Sequence, residues 1–324
     1  FEIMDNTLQF FSFFYQYLDG IAFLILSAAG LAIIFGMMGV INMAHGELMM
    51  IGAYITATCI YAEIPWPLAI LIAGLGAGLA GIILERLIIR HFYKQLLSSL
   101  VVTWGVSMIV SQLFLVLFGP TMESVPTPFS ATKILVGGEQ GIIVAGSETF
   151  QKLTEATGSL PEGVESFGIY RLVLFIVAVA IVFSIWFILA RTEFGSRARA
   201  TIENPKMANA LGINTERVYL YTFGFGSALA GISGGMFALT SAITPFFGAA
   251  YTAKAFIVVV VGGPGVVSGL LSSTFSLAGV QTIFANMFSV YIGFVGMIAA
   301  AFVLLLIMPT GISSFLQDRL ANRR

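Results

Sequence analysis

The stretch Gly36-Met37-Met38-Gly39-Val40-Ile41-Asn42-Met43-Ala44-His45-Gly46-Glu47 decides how this chain is read. It sets an amide, an imidazole and a carboxylate inside an apolar run from Ile21 to Ile60 that carries no other charge. Polar groups at bilayer depth are costly unless something pairs with them. They mark either a polar pathway or a buried clamp between helices.

The surrounding composition fixes the class. Of 324 residues, 58% are hydrophobic and 10% charged, with mean hydropathy +0.97. Globular domains carry about 25% charged residues. This chain reads instead as one all-α polytopic transmembrane bundle over 1–324, with about eight or nine spans at roughly 20 apolar residues each. Its 35 glycines suit helices that approach closely in lipid. A net charge of -1 leaves no basic footprint for nucleic acid. The single cysteine, Cys59, excludes an intrachain disulfide, and two histidines without an HExxH pattern offer no metal set. The first residues lack the cationic segment of a signal peptide.

Candidate spans fall at 20–38, 41–61, 66–84, 99–118, 170–190 and 218–242. Residues 1–19 are mixed and aromatic, with Asp5 and Asp19, and read as an interfacial helix or a weak first span. The region 254–308 holds three spans, or two with a broken or re-entrant segment, because Gly262-Gly263-Pro264-Gly265 and Ser268-Gly269 interrupt it. Three clusters hold 11 of the 15 Lys and Arg: Arg86, Arg90 and Lys94; Arg191, Arg197, Arg199, Lys206 and Arg217; Arg319, Arg323 and Arg324. The positive-inside rule makes these cytoplasmic, including the tail at 309–324. The loop at 119–169 has six Glu against Lys133 and Lys152. It is therefore expected outside, as a mostly irregular cap that either meets a partner or is simply solvated.

The cytoplasmic loop at 191–217 contains a bracketed helix. Asn204 suits an N-cap, Pro205 the first helical position and Gly212 the position after the C-cap. A helix over 205–211 is too short to be stable alone. It either packs on its own bundle or is a knob for a cytoplasmic partner, with Met207, Ala208 and Leu211 on one side. Asn214 reads as the cap of the next span, with Glu216 in its favourable first turn.

Two of these segments carry a family resemblance. Gly30 to Glu47 resembles the signature of ATP-binding-cassette importer permeases of the branched-chain amino acid and urea type. The loop from Arg199 to Val218 is similar to their ATPase-coupling loop. Lys254-Ala255-Phe256, Gly262-Gly263 and Met308-Pro309-Thr310-Gly311-Ile312 follow in the same order. The resemblance covers roughly 20–118 and 170–312, and departs in the longer outer loop and in Pro264.

The resemblance implies a multi-pass permease subunit of a bacterial inner membrane, with its C-terminus cytoplasmic. It implies two ATPase subunits below and a second permease, more usually a distinct homologue. A periplasmic binding protein would deliver solute to the outer face. ATP and Mg would belong to the ATPases, with no cofactor and no enzyme activity on this chain. Met207, Ala208 and Leu211 would form the docking face, Arg199, Glu203 and Lys206 its polar rim, and Gly212 the end of the helix. Branched-chain or other hydrophobic amino acids are the first expected solutes, and urea or a short amide the alternative.

On an ideal helix Asn42 and His45 lie about 60° apart and Glu47 about 160° from His45. The three share a cavity only if the helix breaks, and Gly46 is the expected break. Either an unwound stretch presents them to a solute path, or they bond to neighbouring helices and hold the break in place. A signature shared by permeases of unlike solutes favours the second. Lys254 reads as a snorkelling interfacial lysine, or as a gate or carboxylate contact. Phe246, Phe247 and Tyr251 nearby read as an interfacial aromatic belt. A channel or secondary carrier working alone would also use buried polar residues and broken helices, but needs no cytoplasmic knob. An intramembrane enzyme built on His45 and Glu47 lacks a nucleophile, metal set or cofactor fingerprint.

Overall fold

The computed structural model describes residues 2–93, 95–122, 125–129, 133–137, 142–145 and 164–315. Helix α1 (Glu2–Met38) has 37 residues, about 55 Å at 1.5 Å each. That exceeds the roughly 30 Å hydrocarbon core of a bilayer. The interfacial segment expected at 1–19 and the span expected at 20–38 are therefore one rod, because no proline interrupts it.

Helices α2 (His45–Tyr61), α3 (Trp66–Leu87) and α4 (Leu96–Phe118) follow, the last two joined by a 3-10 turn at Ile89–Phe92. Then come α5 (Ile169–Arg191), α6 (Glu193–Glu203), α7 (Pro205–Ala210) and α8 (Thr215–Ala238). The apolar region after 246 resolves into three helices, α9 (Phe247–Gly262), α10 (Val266–Met287) and α11 (Val290–Ile307). Among the described residues six helices are long and apolar enough to cross a membrane: α1, α3, α4, α5, α10 and α11.

The remaining long elements, α2, α8 and α9, form the centre. Helix α8 packs against α1, α2 and α3 at once, and α9 against α1, α2 and α10. Glycine permits this. A methyl group on Gly30 would strike the carbonyl of Gly226, one on Gly52 that of Gly231, and one on Gly234 that of Met49. Backbones this close gain dispersion contacts that larger residues would forbid. The periphery is the reverse: most of α4, α5 and α11 faces outward, with Val116, Ile176, Phe183, Phe302 and Leu306 exposed. Apolar side chains on that surface meet lipid rather than water.

Two ends of the bundle differ in character. At one end Arg86, Arg90 and Arg217 surround a common cleft, and α6 and α7 lie nearby. At the other end residues expected to be irregular form a three-stranded antiparallel sheet. Strand β1 (Lys133–Gly137) pairs with β2 (Ile142–Ala145) and β3 (Val164–Gly168), in the order β2-β1-β3. The β-branched residues Ile134, Val136, Ile142, Ile143 and Val144 carry the strand signal. Tyr15 and Phe167 seat the sheet on α1, with ring centroids 4.7 Å apart and a Tyr15 hydroxyl bond of 2.6 Å to the Gly168 carbonyl. The tail residues 316–324 lie outside the described residues.

Candidate functional site

The break between α1 and α2 spans residues 39–44, and Gly46 lies inside α2 rather than at the break. Gly39 makes the turn at φ +63, a conformation that costs glycine little. Gly46 serves packing instead. A Cβ there would strike the Gly248 carbonyl and Thr252, so its hydrogen lets α9 lie against α2.

The polar residues of this break diverge. Asn42 Oδ1 accepts from the Ala44 N–H at 3.1 Å and so caps the turn. The Met43 N–H bonds to Thr103 Oγ1 of α4 at 2.9 Å. His45 Nε2 lies 2.9 Å from the Ser27 carbonyl of α1; a carbonyl only accepts, so Nε2 carries the proton. Glu47 Oε1 accepts from Ser107 Oγ of α4 at 2.8 Å. All three side chains are buried. Within the described structure Asn42 Nδ2, His45 Nδ1 and Glu47 Oε2 have no hydrogen-bond partner. The residues occupy one turn of chain but point to its own backbone, to α1 and to α4, not to a common point.

Lys254 lies midway along α9, about 10 Å from Phe247 at 1.5 Å per residue. Its Nζ sits 4.6 Å from the ring centroid of Phe23 on α1 and 5.3 Å from that of Phe294 on α11. Such contacts are worth roughly 0.5–1 kcal/mol each where partly exposed. They do not fill the three N–H donors of an ammonium. Among the described residues no carboxylate reaches it; the ion pairs there are Arg171–Asp19 and Arg197–Glu193. Phe247 and Tyr251, expected in an interfacial belt, are instead buried. Phe247 leans on Tyr251 at 41°, and Tyr251, Phe237 and Phe23 stack in turn, with centroids 4.7 to 4.9 Å apart. Of that trio only Phe246 is exposed.

The coupling loop folds from local signals. Thr192 caps α6 by accepting from Gly195 N–H at 3.2 Å. Asn204 caps α7 by accepting from Met207 N–H at 3.1 Å, with Pro205 in the first turn. The helix stops at Ala210, one residue earlier than expected. Gly212, at φ +85, closes it through paired bonds of 3.0 Å, Gly212 N–H to Asn209 O and Ile213 N–H to Ala208 O. That is the Schellman arrangement. Asn214 then caps α8 through Arg217 N–H at 3.0 Å, and Asn209 Oδ1 accepts from Thr215 N–H at 3.3 Å. Two turns of short helix are thereby fixed to the foot of α8.

Met207 and Leu211 project outward, 59% and 74% exposed. Ala208 does not join them. It is buried, because position i+1 faces inward once the caps set the roll of the helix. Glu203 and Lys206 are exposed beside Met207. Arg199 turns the other way and bonds to the Leu189 carbonyl at the end of α5, so it braces α6 rather than bordering Met207. A 720 Å³ groove adjoins Leu211, lined by Glu193, Arg197, Ile213, Arg217 and Tyr221. Sequence reasoning missed Tyr221; its place one turn after Arg217 on α8 was the available signal. It also missed Ser27, Thr103 and Ser107, which nothing local distinguishes from other small polar residues in helices.

The family model for the branched-chain amino acid transport system permease component matches residues 15–312. The chain is 27% identical over 318 residues to the high-affinity branched-chain amino acid transport permease LivH of Salmonella typhimurium, covering 94% of this chain and 96% of that protein. It is 27% identical over 298 residues to BraD of Pseudomonas aeruginosa, a permease of the same description, covering 89% and 90%. It is also 27% identical over 216 residues to the guanosine transporter permease NupQ of Bacillus subtilis, covering 63% and 60%. No solved structure matches the chain. With its glycine-packed core, capped basic-end loop and a match across most of its length, the chain belongs to the family of branched-chain amino acid transport permease components.

Proposed function

We propose that this chain carries branched-chain amino acids across a bacterial inner membrane as one spanning subunit of an ATP-driven importer. The observation that carries the coupling mechanism is α7. Its ends are both capped, and it offers Met207 and Leu211 to solvent beside a polar groove. An isolated helix of six residues has no stability of its own, so the caps and the seat of Ala208 hold it in place. A rigid apolar knob of this kind fits a groove on an ATPase subunit. Movement of the ATPases would then reach α8 directly through Asn209, Asn214 and Thr215. A rigid-body shift of α8 changes its contacts with α1, α2 and α3 together, which suits a switch between two packed states.

In this reading the basic end is cytoplasmic, and ATP and Mg are held by two ATPase subunits. The sheet end meets a binding protein that delivers the solute, and a second permease, more usually a distinct homologue, completes the pathway. The branched-chain solute rests on the names of the LivH and BraD relatives. A nucleoside such as guanosine is the second reading, supported by the NupQ relative. Asn42, His45 and Glu47 serve to hold the α1–α2 break, since each bonds to a different element.

The test is affinity purification from detergent-solubilised native membranes, followed by leucine uptake in proteoliposomes. Two ATPase subunits and a second permease should co-purify, and the ATPase subunits should be lost with Leu211→Asp. A chain that purifies alone and moves leucine without ATP would overturn the proposal.

A further inference from the structure

We infer that Lys254, Phe23 and Phe294 form the contact for solute within the membrane. The Lys254 ammonium takes a carboxylate, and the two rings take the apolar side chain of the same amino acid. This rests on the amino-acid reading above and adds where the solute binds and which of its groups is recognised.

Four observations converge. Lys254 belongs to a central helix of the bundle, yet its side chain and those of Phe23 and Phe294 are only half-buried. The three come from α9, α1 and α11, so the patch is built by tertiary packing rather than by one helix face. The ammonium faces two rings at 4.6 and 5.3 Å, which attract its charge but accept none of its hydrogens. Ala250 and Ala253, which flank the lysine on α9, are exposed, and their methyl groups are too small to cover it.

A cation in this position is unsuited to lipid tails. It requires water or an anion. A carboxylate fits the vacant donors, with the short distance of a charge-assisted hydrogen bond. An aliphatic side chain beside that carboxylate would lie on Phe23 and Phe294. Behind Phe23, the stack of Phe237, Tyr251 and Phe247 fixes the ring. The arrangement recognises a carboxylate beside an apolar side chain and offers nothing specific to an uncharged nucleoside.

The experiment uses the complete importer in proteoliposomes, supplied with leucine-loaded binding protein. Wild-type vesicles that show no ATP-driven leucine uptake would overturn the amino-acid reading itself, separately from the role of Lys254. Where wild type transports, Lys254→Met should lower leucine uptake by about tenfold to a hundredfold, as expected for one charge-assisted bond. Lys254→Arg should recover part of it. Wild-type uptake by Lys254→Met would overturn the inference. So would loss of the second permease on purification, which would make Lys254 half of an ion pair between subunits. A second measurement does not depend on turnover. With Cys59 as the only cysteine of this sequence, Lys254→Cys in a Cys59→Ser background gives this chain one thiol, whose labelling is read on its own band. That thiol should react with a water-soluble methanethiosulfonate, more slowly when leucine is present. A thiol that does not react, or that leucine leaves unprotected, would overturn the inference.

Discussion

Ser107 donates a 2.8 Å hydrogen bond to Glu47 across the contact between α4 and α2. Helix α4 is otherwise the most outward-facing of the spans, so a polar tie at its inner side counts for more than one within the core. Glu47→Ala removes the acceptor and leaves the hydroxyl unpaired, at a cost of about 1–3 kcal/mol. Glu47→Gln keeps an acceptor oxygen and should lose much less. Thermal unfolding in detergent should rank them wild type, Gln, Ala. A stable Ala variant with altered solute preference would refute the clamp and favour a place on the solute path.

Glycines of the core and of the periphery should respond with opposite sign. A methyl at Gly234 would meet the Met49 backbone, whereas at Gly105 nothing lies within 4 Å. Gly234→Ala should therefore destabilise by about 1–3 kcal/mol through overpacking. Gly105→Ala, within α4, should gain up to about 1 kcal/mol from helix propensity. Equal shifts in melting temperature would mean that α2 and α8 are not packed this closely.

The left-handed backbone at Gly212 should be hard to replace. At φ +85 a β-branched side chain is strained, and Gly212→Val should cost at least about 1 kcal/mol. The loss would be local. Hydrogen exchange in residues 205–213 should rise sharply while that of α8 stays protected. Unchanged exchange would show that the closing bonds to Ala208 and Asn209 do not hold α7.

Ala208 and Leu211 should separate folding from docking. Ala208 is buried and Leu211 is 74% exposed. Ala208→Asp forces a carboxylate into a buried position, and should broaden the size-exclusion profile of the purified chain. Leu211→Asp should elute as wild type. If both variants are monodisperse, Ala208 is not seated against the bundle.

What sequence reveals here follows the range of the interactions. The caps at Asn204, Gly212 and Asn214 are contacts within a few residues, and their residue types announce them. The break near His45 was expected, but at Gly46 rather than Gly39. Both are glycines, and only the approach of Gly248 tells a packing glycine from a turning one. Ala208 was misplaced for a related reason: spacing gives relative angles on a helix, not which side meets the protein. The partners of Lys254 come from opposite ends of the chain, so its surroundings could not be read locally. The strands near Lys133 carried a usable β-branched signal that the polar composition of the whole loop hid.

Packing α8 between α1, α2 and α3 has a consequence for synthesis. The groove that receives it is complete once α3 has emerged, but α8 follows only after α4, the sheet and the coupling loop. Until then, the glycine-lined faces around Gly30 and Gly52 have no protein to cover them. Two peripheral spans, α4 and α5, enter the bilayer before the central helix does. This part of the bundle is thus assembled from its walls inward, and the helix that fills it is also the one joined to α7.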